Sequence, residues 1–148
     1  MPGAVFLICI KDSAFIDPAA GSGNFLTETY LCLRRMENEI IAIEQNDQIS
    51  WGAALDPIKV SISQFYGIEI NDFAVTVAKT ALWIAESQMM RQTEDIVNMP
   101  LDFLPLKTNA TIIHANALRI DWNDIVPKER LSYSQGNNWS PNEEDCAA

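Results

Sequence analysis

A short turn of small residues carries the clearest chemical signal in this sequence. The turn reads DPAAGSG over residues 17–23, between an apolar stretch ending at Ile16 and a helix-forming stretch beginning at Asn24. Glycine lacks a Cβ, so the glycines at positions 21 and 23 would let a ligand approach the backbone closely. The amides at the start of the following helix would then point at whatever binds. The pattern predicts a cofactor-binding turn.

The same turn has two other interpretations. A dinucleotide-binding turn also places glycines between a strand and a helix, in the pattern G-x-G-x-x-G. Here Leu26 occupies the third glycine position, where it would hinder close helix–strand packing, and Pro18-Ala19 is an insertion foreign to that pattern. A nucleotide-dependent oxidoreductase is therefore disfavoured. A purely structural glycine–serine turn is the remaining alternative.

A single carboxylate, Glu69, ends the strand-like stretch at 62–69. It therefore lies at the carboxyl end of a predicted strand, where α/β sheets bind their ligands. Its two oxygens can accept hydrogen bonds from both hydroxyls of a ribose. The alternative is a surface glutamate that interacts favourably with the dipole of the following helix.

These residues need strands and helices to hold them together, and the hydrophobic pattern predicts both. Strands are predicted at 4–10, 14–16, 62–69 and 111–115. One helix begins at Asn24, and a second, capped by Asn71-Asp72, continues to about Arg91. Alternating strands and helices predict an α/β fold with a parallel sheet and flanking helices. The first helix is predicted to bury one apolar stripe, which consists of Phe25, Leu26, Leu33, Met36, Ile40 and Ile43.

The segment around the turn resembles motif I, the S-adenosylmethionine loop of adenine-specific DNA methyltransferases. That motif is usually written D-P-A-C-G-S-G-N-F-L, and only Ala20 departs from it in this sequence. The similarity extends over residues 13–133 and is closest to the methylase part of large restriction-modification polypeptides. It implies a partial Rossmann-like class I methyltransferase fold with S-adenosyl-L-methionine as the cofactor.

The resemblance also implies roles for individual residues. Glu69 would bind the ribose of the cofactor, and Ile70 would pack on its adenine. Asn116, Ala117 and Leu118 resemble motif III, in which an Asn offers the donor and the acceptor that the adenine edge requires. Asparagine is also common in ordinary turns. The residues that would wrap the methionine end are Asp17, Pro18, Ala19, Gly21, Gly23, Asn24 and Phe25.

The resemblance fails at motif IV, where the family carries G-N-P-P-F or G-N-P-P-Y. In that motif the Asn side chain and a Pro carbonyl bind the target amine, and the aromatic ring stacks on the flipped base. This sequence has Gly136-Asn137 followed by Asn138, Trp139 and Ser140. Asn137 is therefore the sole catalytic candidate, and negligible activity is expected of this chain alone. In a relative with the intact motif, the reaction is methyl transfer to the exocyclic amine of adenine in duplex DNA.

Composition limits the ligands and partners of the chain. Its 148 residues are 48% hydrophobic, which is enough for a core. DNA is the substrate of the family, but the formal charge of −10 argues that this chain does not bind DNA by itself, because affinity for the phosphate backbone comes from Lys and Arg. One His and three scattered cysteines form no zinc constellation, and reduced thiols suit the cytoplasm. The run at 4–10 is far shorter than the about 20 residues that cross a membrane, so no membrane association is expected.

We expect three parts along the chain: an N-terminal extension at 1–12, the S-adenosylmethionine-binding half of a methyltransferase domain at 13–133, and a divergent acidic tail at 134–148. Later strands of the fold are missing from this sequence, so we expect a truncated gene product whose exposed sheet edge permits self-association. One alternative is a non-catalytic module that binds a partner polypeptide. Another is one half of a split methyltransferase, completed by a downstream methylase fragment.

Overall fold

The fold alternates strands and helices, as the hydrophobic pattern predicts. A computed structural model describes residues 10–46, 58–98, 100–101 and 109–126. The strand predicted at 4–10 lies outside these ranges except for Ile10, which is helical, so a strand is wrong at that residue. The described elements are β1 (Phe15–Asp17), α1 (Asn24–Asn46), a 3-10 turn (Ile62–Gln64), β2 (Phe65–Glu69), α2 (Asp72–Val97), β3 (Thr111–His114) and a second 3-10 turn (Trp122–Asp124).

The three strands form a parallel sheet in the order β1-β2-β3. Asp17 of β1 is in register with Gly67 of β2, and Glu69 of β2 with His114 of β3. Because the strands are parallel, their carboxyl ends meet at one edge of the sheet. The turns that follow the three strands are therefore neighbours in space, as the α/β prediction requires.

Both helices pack against the sheet around one shared core. Phe65 is fully buried in this core, where it stacks on Phe15 with ring centroids 4.9 Å apart and forms a T-shaped pair with Tyr30 at 5.7 Å. Leu26 of α1 and Leu82 of α2 belong to the same buried cluster. This core fixes the two helices relative to the strands, and with them the turns that connect helix to strand.

The buried face of α1 differs from the apolar stripe predicted for it. Leu26 is buried as expected, but Phe25, Met36 and Ile43 are 69%, 43% and 59% exposed. The face turned towards the protein instead carries Tyr30, Arg34, Glu37, Asn38 and Ile41, all nearly inaccessible to solvent. The predicted stripe is therefore wrong at Phe25, Met36 and Ile43, whereas Leu26 is buried and Leu33 packs against the core.

A buried polar network explains why charged residues occupy that face. Arg34 forms an ion pair with Glu37 and donates to the Thr93 hydroxyl of α2 at 2.7 Å. The same hydroxyl lies 2.7 Å from Oδ1 of Asn38. Glu37 also accepts the backbone N–H of Val60, ahead of β2, at 3.2 Å. Buried charges persist only when they are paired and hydrogen-bonded, and these bonds meet that condition for Arg34 and Glu37. Among the described residues, Nε of Arg34 and Nδ2 of Asn38 are left without a hydrogen-bond partner.

The second helix begins as predicted and continues further. The Asn71 side chain accepts hydrogen bonds from the backbone N–H groups of Phe73 and Ala74, which caps the first turn. The helix passes Arg91 and ends at Val97, followed by Asn98 in the left-handed conformation. Its last turns stay helical because Met89 and Thr93 are buried against the rest of the protein. No helix in the described ranges is long and apolar enough to cross a membrane.

Candidate cofactor-binding site

Two glycines shape the turn after β1, and each is needed there for a different structural reason. Gly21 has φ +54°, and a Cβ added to it would meet no described atom within 4 Å. Gly23 has φ +80°, and its added Cβ would lie 2.8 Å from the Cβ of Ala78 on α2. Open space for a ligand therefore exists at Gly21. At Gly23 the missing side chain instead permits close packing of the turn on α2.

Backbone hydrogen bonds hold this turn over the end of β2. Asp17 begins it, with Oδ1 accepting the N–H of Ala19 at 2.9 Å. The N–H of Ala20 then donates to the carbonyl of Ile68 at 3.0 Å. Ala20 is buried above Gly67, where an added Cβ would come within 3.1 Å of the Cβ of Ala20. The single departure from the family motif, Ala20, thus fills a narrow space between the turn and β2.

Glu69 connects the glycine turn to the start of α2. Its Oε2 accepts the N–H of Gly21 at 2.8 Å, and its Oε1 accepts the N–H of Asn71 at 2.9 Å. These two bonds, the one from Asn71 first, hold the pKa of the Glu69 carboxyl below its usual range. The side chain is therefore an anion at neutral pH, with one oxygen bonded to each neighbouring turn.

The turn after β3 is built on Asn116. Its Oδ1 accepts the N–H of Leu118 at 3.0 Å, and its backbone carbonyl accepts the N–H of Arg119 at 2.9 Å. Trp122 returns to the same turn, because its indole N–H donates to the carbonyl of Ala117 at 2.8 Å. Leu118 is left 93% exposed at the tip.

These three turns surround an open cleft of about 430 Å³. The structure brings together seven of the residues predicted for the site, and adds Ile68, Ala115 and Trp122, for which no role was predicted. The sequence does carry a signal for Trp122, since this aromatic residue follows Asn116 within the same loop. The predicted residues that line the cleft are Pro18, Ala19, Glu69, Ile70, Asn116, Ala117 and Leu118.

The other predicted site residues lie beside the cleft or outside the described ranges. Asp17, Gly21 and Gly23 shape the glycine turn, and Asn24 begins α1. Phe25, on α1, is 69% exposed. Asn137, the catalytic candidate, lies outside the described residues, and so does the rest of the altered motif IV.

His114 stands next to this cleft at the end of β3. Its Nε2 lies 2.9 Å from the carbonyl oxygen of Ile70, within hydrogen-bond distance. The ring is exposed, and it is in register with Glu69 on the neighbouring strand.

Comparison with known proteins decides between the interpretations of this cleft. The family described as "MmeI, DNA-methyltransferase domain" matches residues 5–139. The chain belongs to this family. The match confirms the predicted resemblance to the methylase part of a restriction-modification polypeptide and removes the dinucleotide-dependent oxidoreductase alternative. Membership of a methyltransferase family implies a methyl-donor cofactor. The domain boundaries expected at residues 12 and 133 stay a prediction.

Individual relatives agree with the family. DNA methyltransferase A of Bacillus subtilis (strain 168) is 49% identical over 116 residues, which cover 78% of this chain and 13% of that protein. The type IIL restriction-modification enzyme MmeI, solved in complex with DNA, has a similar structure, with a TM-score of 0.73 and 34% identity. That alignment covers 87% of this chain and 17% of the MmeI chain. The chain therefore spans less than a fifth of either relative, and the α/β methyltransferase fold is confirmed.

Proposed function

We propose that this MmeI-family chain binds S-adenosyl-L-methionine as the cofactor half of an adenine-specific, amino-methylating DNA methyltransferase. The observation that carries the proposal is the convergence of three turns, after β1, β2 and β3, on one cleft that is lined by Glu69, whose carboxylate accepts a hydrogen bond from each of two turns. Bound there, the cofactor supplies a methyl group on a positively charged sulfonium.

The chemistry around Glu69 suits a ribose. Each carboxylate oxygen has accepted one backbone N–H, and each has further lone-pair capacity for a hydroxyl donor. Ribose hydroxyls are such donors, and a carboxylate makes stronger hydrogen bonds than a neutral acceptor. A negative side chain also attracts the positive sulfonium of the cofactor. Glu69 would therefore orient the sugar while it holds the glycine turn in place.

The apolar walls of the cleft suit an adenine ring. Ile70 is 67% exposed and Leu118 is 93% exposed, and both line the cleft, so they offer an apolar surface on which an adenine ring can pack. Asn116 is fixed by the N–H of Leu118 and keeps a second lone pair on Oδ1 together with its side-chain N–H donors. These groups would meet the amine and a ring nitrogen of adenine.

The methionine end of the cofactor would lie along the glycine turn. Pro18 and Ala19 line the cleft, and the open space at Gly21 adjoins Glu69. Asp17, Gly23, Asn24 and Phe25 would shape or contact this end, as the resemblance to motif I implies. The first backbone N–H groups of α1 face the same turn and suit the carboxylate of an amino acid.

The proposed substrate is DNA, as for the relatives. Another polypeptide region would bind the DNA. Twenty acidic side chains against ten basic ones leave this chain at −10, which opposes contact with a phosphate backbone. A DNA substrate would place the chain in the cytoplasm. Asn137 is our candidate for binding the target amine, but Asn138 and Trp139 replace the prolines of motif IV. We therefore propose negligible methyl transfer by this chain alone.

A downstream methylase fragment is the partner that we propose for activity. Among the described residues, β1 and β3 each pair with β2 alone, so either outer strand offers backbone groups for a further strand. Titration with a separately expressed downstream fragment tests this point. Restored DNA methylation would show a split enzyme, binding without activity would show a scaffold, and a concentration-dependent increase in mass without the fragment would show self-association.

Isothermal titration of S-adenosylmethionine into the purified chain tests the proposed function. We expect saturable binding by the unchanged chain and a large loss in Glu69→Ala, which removes the ribose acceptor. Glu39→Ala is the matched control, because Glu39 is an exposed carboxylate on α1, away from the cleft. Absence of binding by the unchanged chain, with its circular dichroism showing a folded α/β protein, would reject the proposal.

A further inference from the structure

Trp122 forms one wall of the candidate cleft, and neither motif I nor motif III assigns it a role. Its side chain lines the cleft together with Ile70 and Leu118 and is 41% exposed. The indole N–H is already engaged, since it donates to the carbonyl of Ala117 at 2.8 Å. Because its only polar group is used in this way, the ring can offer a ligand aromatic surface and nothing else.

The position of the indole is fixed from both ends. At the ring, the hydrogen bond to Ala117 holds it against the turn that carries Asn116 and Leu118. At the backbone, Trp122 begins a 3-10 turn capped by Asp121, whose Oδ1 accepts the N–H of Asn123 at 2.9 Å. A ring held in this way sets the width of the cleft on its side.

Trp122 also lines a second cavity, which shares this residue with the cleft. That cavity has a volume of about 450 Å³ and is lined by Trp122 together with Ile16, Ile120 and Val126, among others. Removal of the indole would widen the cleft on this side. A ligand pressed against Trp122 would lose its contact surface on that side.

We propose that Trp122 is a specificity-determining residue that gives the cleft its preference for a purine. The proposal rests on the proposed function, because it takes the adenosine end of S-adenosylmethionine as the occupant. Ile70 and Leu118 can contact either a purine or a pyrimidine, whereas the aromatic wall at Trp122 adds a stacking surface from which the larger, two-ring base gains more contact. Contact between a base and an aromatic side chain stabilises binding by dispersion and needs no hydrogen bond.

Displacement titrations against S-adenosylmethionine test this role, with adenosine and uridine as competitors. In Trp122→Ala we expect S-adenosylmethionine and adenosine to bind roughly fivefold more weakly or worse, with uridine unchanged, so that the preference for adenosine falls. Trp122→Phe keeps a smaller ring and should lie between the two. Trp83→Phe is the matched control on α2, outside the cleft, and should bind as the unchanged chain does.

Intrinsic fluorescence gives a second readout that a merely structural role would not produce. A base in contact with the indole should change the emission of the unchanged chain and of Trp83→Phe, and this change should vanish in Trp122→Phe although that variant still binds. Unaltered affinity in Trp122→Ala, equal weakening of adenosine and uridine, or an emission change that persists in Trp122→Phe would each overturn the proposal. If the unchanged chain does not bind S-adenosylmethionine, the proposed function is rejected as well. If the unchanged chain binds and the Trp122 variants give one of the results above, only the role of Trp122 is rejected.

Discussion

Replacement of Glu69 by Gln tests how the site is held together in the absence of any ligand. The carboxylate accepts two backbone N–H groups, from Gly21 at 2.8 Å and from Asn71 at 2.9 Å. A glutamine can keep one of these bonds through its carbonyl oxygen, but its NH₂ group would then oppose the other donor. The variant therefore loses one charge-assisted hydrogen bond and weakens the second.

The size of the effect follows from the two bonds. A hydrogen bond to a charged group contributes about 1.5–3 kcal/mol. Since Glu69 is partly exposed, water screens and replaces part of that contribution, and we expect Glu69→Gln to cost about 1–2 kcal/mol of unfolding free energy. In a chain of this size that corresponds to a fall in Tm of roughly 2–8 °C.

The pH dependence of this difference identifies its cause. The pKa of Glu69 is lowered in the folded protein, so its bonds stabilise the fold at a pH above the ordinary carboxyl value and cease to do so as the pH falls through the lower folded value. Urea unfolding of both proteins across this range should show a constant gap at neutral pH that closes in acid. Glu39→Gln, the exposed control, should change stability by less than about 0.5 kcal/mol at every pH. A gap for Glu69→Gln that does not change with pH, or no gap, would refute the reasoning.

Two further predictions concern the framework of the site. Gly23→Ala should destabilise the chain by about 1–3 kcal/mol in chemical unfolding, since its new Cβ would lie 2.8 Å from the Cβ of Ala78 and the residue has a positive φ. Gly21→Ala also has a positive φ, but its Cβ would meet no described atom, so it should cost only about 1 kcal/mol. Equal losses in the two variants would contradict the packing explanation. Glu37→Gln should cost about 3–5 kcal/mol in the same assay because it leaves the buried Arg34 without its anionic partner, and a loss below about 1 kcal/mol would show that the pair is not desolvated.

Local patterns in the sequence were sufficient for the strand–turn–helix order. The acid, the two glycines and the start of α1 at Asn24 follow one another within one short segment, and their conformations depend mainly on the residues themselves. The same holds for the cap of α2 at Asn71, whose side chain bonds to the backbone N–H groups that follow it. Bonds of this kind link near neighbours in the chain, so they can be inferred from spacing.

The inner face of α1 could not be inferred in the same way. Hydrophobic periodicity placed Met36 and Ile43 inside, whereas the structure buries Arg34 and Glu37. These charges are stable there because they pair with each other and because Thr93 on α2 and the backbone ahead of β2 supply further hydrogen bonds. The partners of Arg34 and Glu37 lie far away in the sequence, so the hydrophobic periodicity of α1 gives no sign of them. A prediction from that periodicity alone therefore assigns the wrong face of the helix to the core.

The sequence by itself determined the family, the order of the elements and the three turns that surround the cleft, because each of these depends on short, contiguous sequence motifs. Only the tertiary structure decided what the residues in those turns touch. It joined Glu69 to Gly21, closed Gly23 against Ala78 and brought Trp122 back onto Ala117 as a wall of the cleft. The first two of these contacts link residues far apart in sequence, and the third depends on how the loop folds over the sheet. The physical reason is that parallel strands align their carboxyl ends, so turns separated by dozens of residues share one small volume.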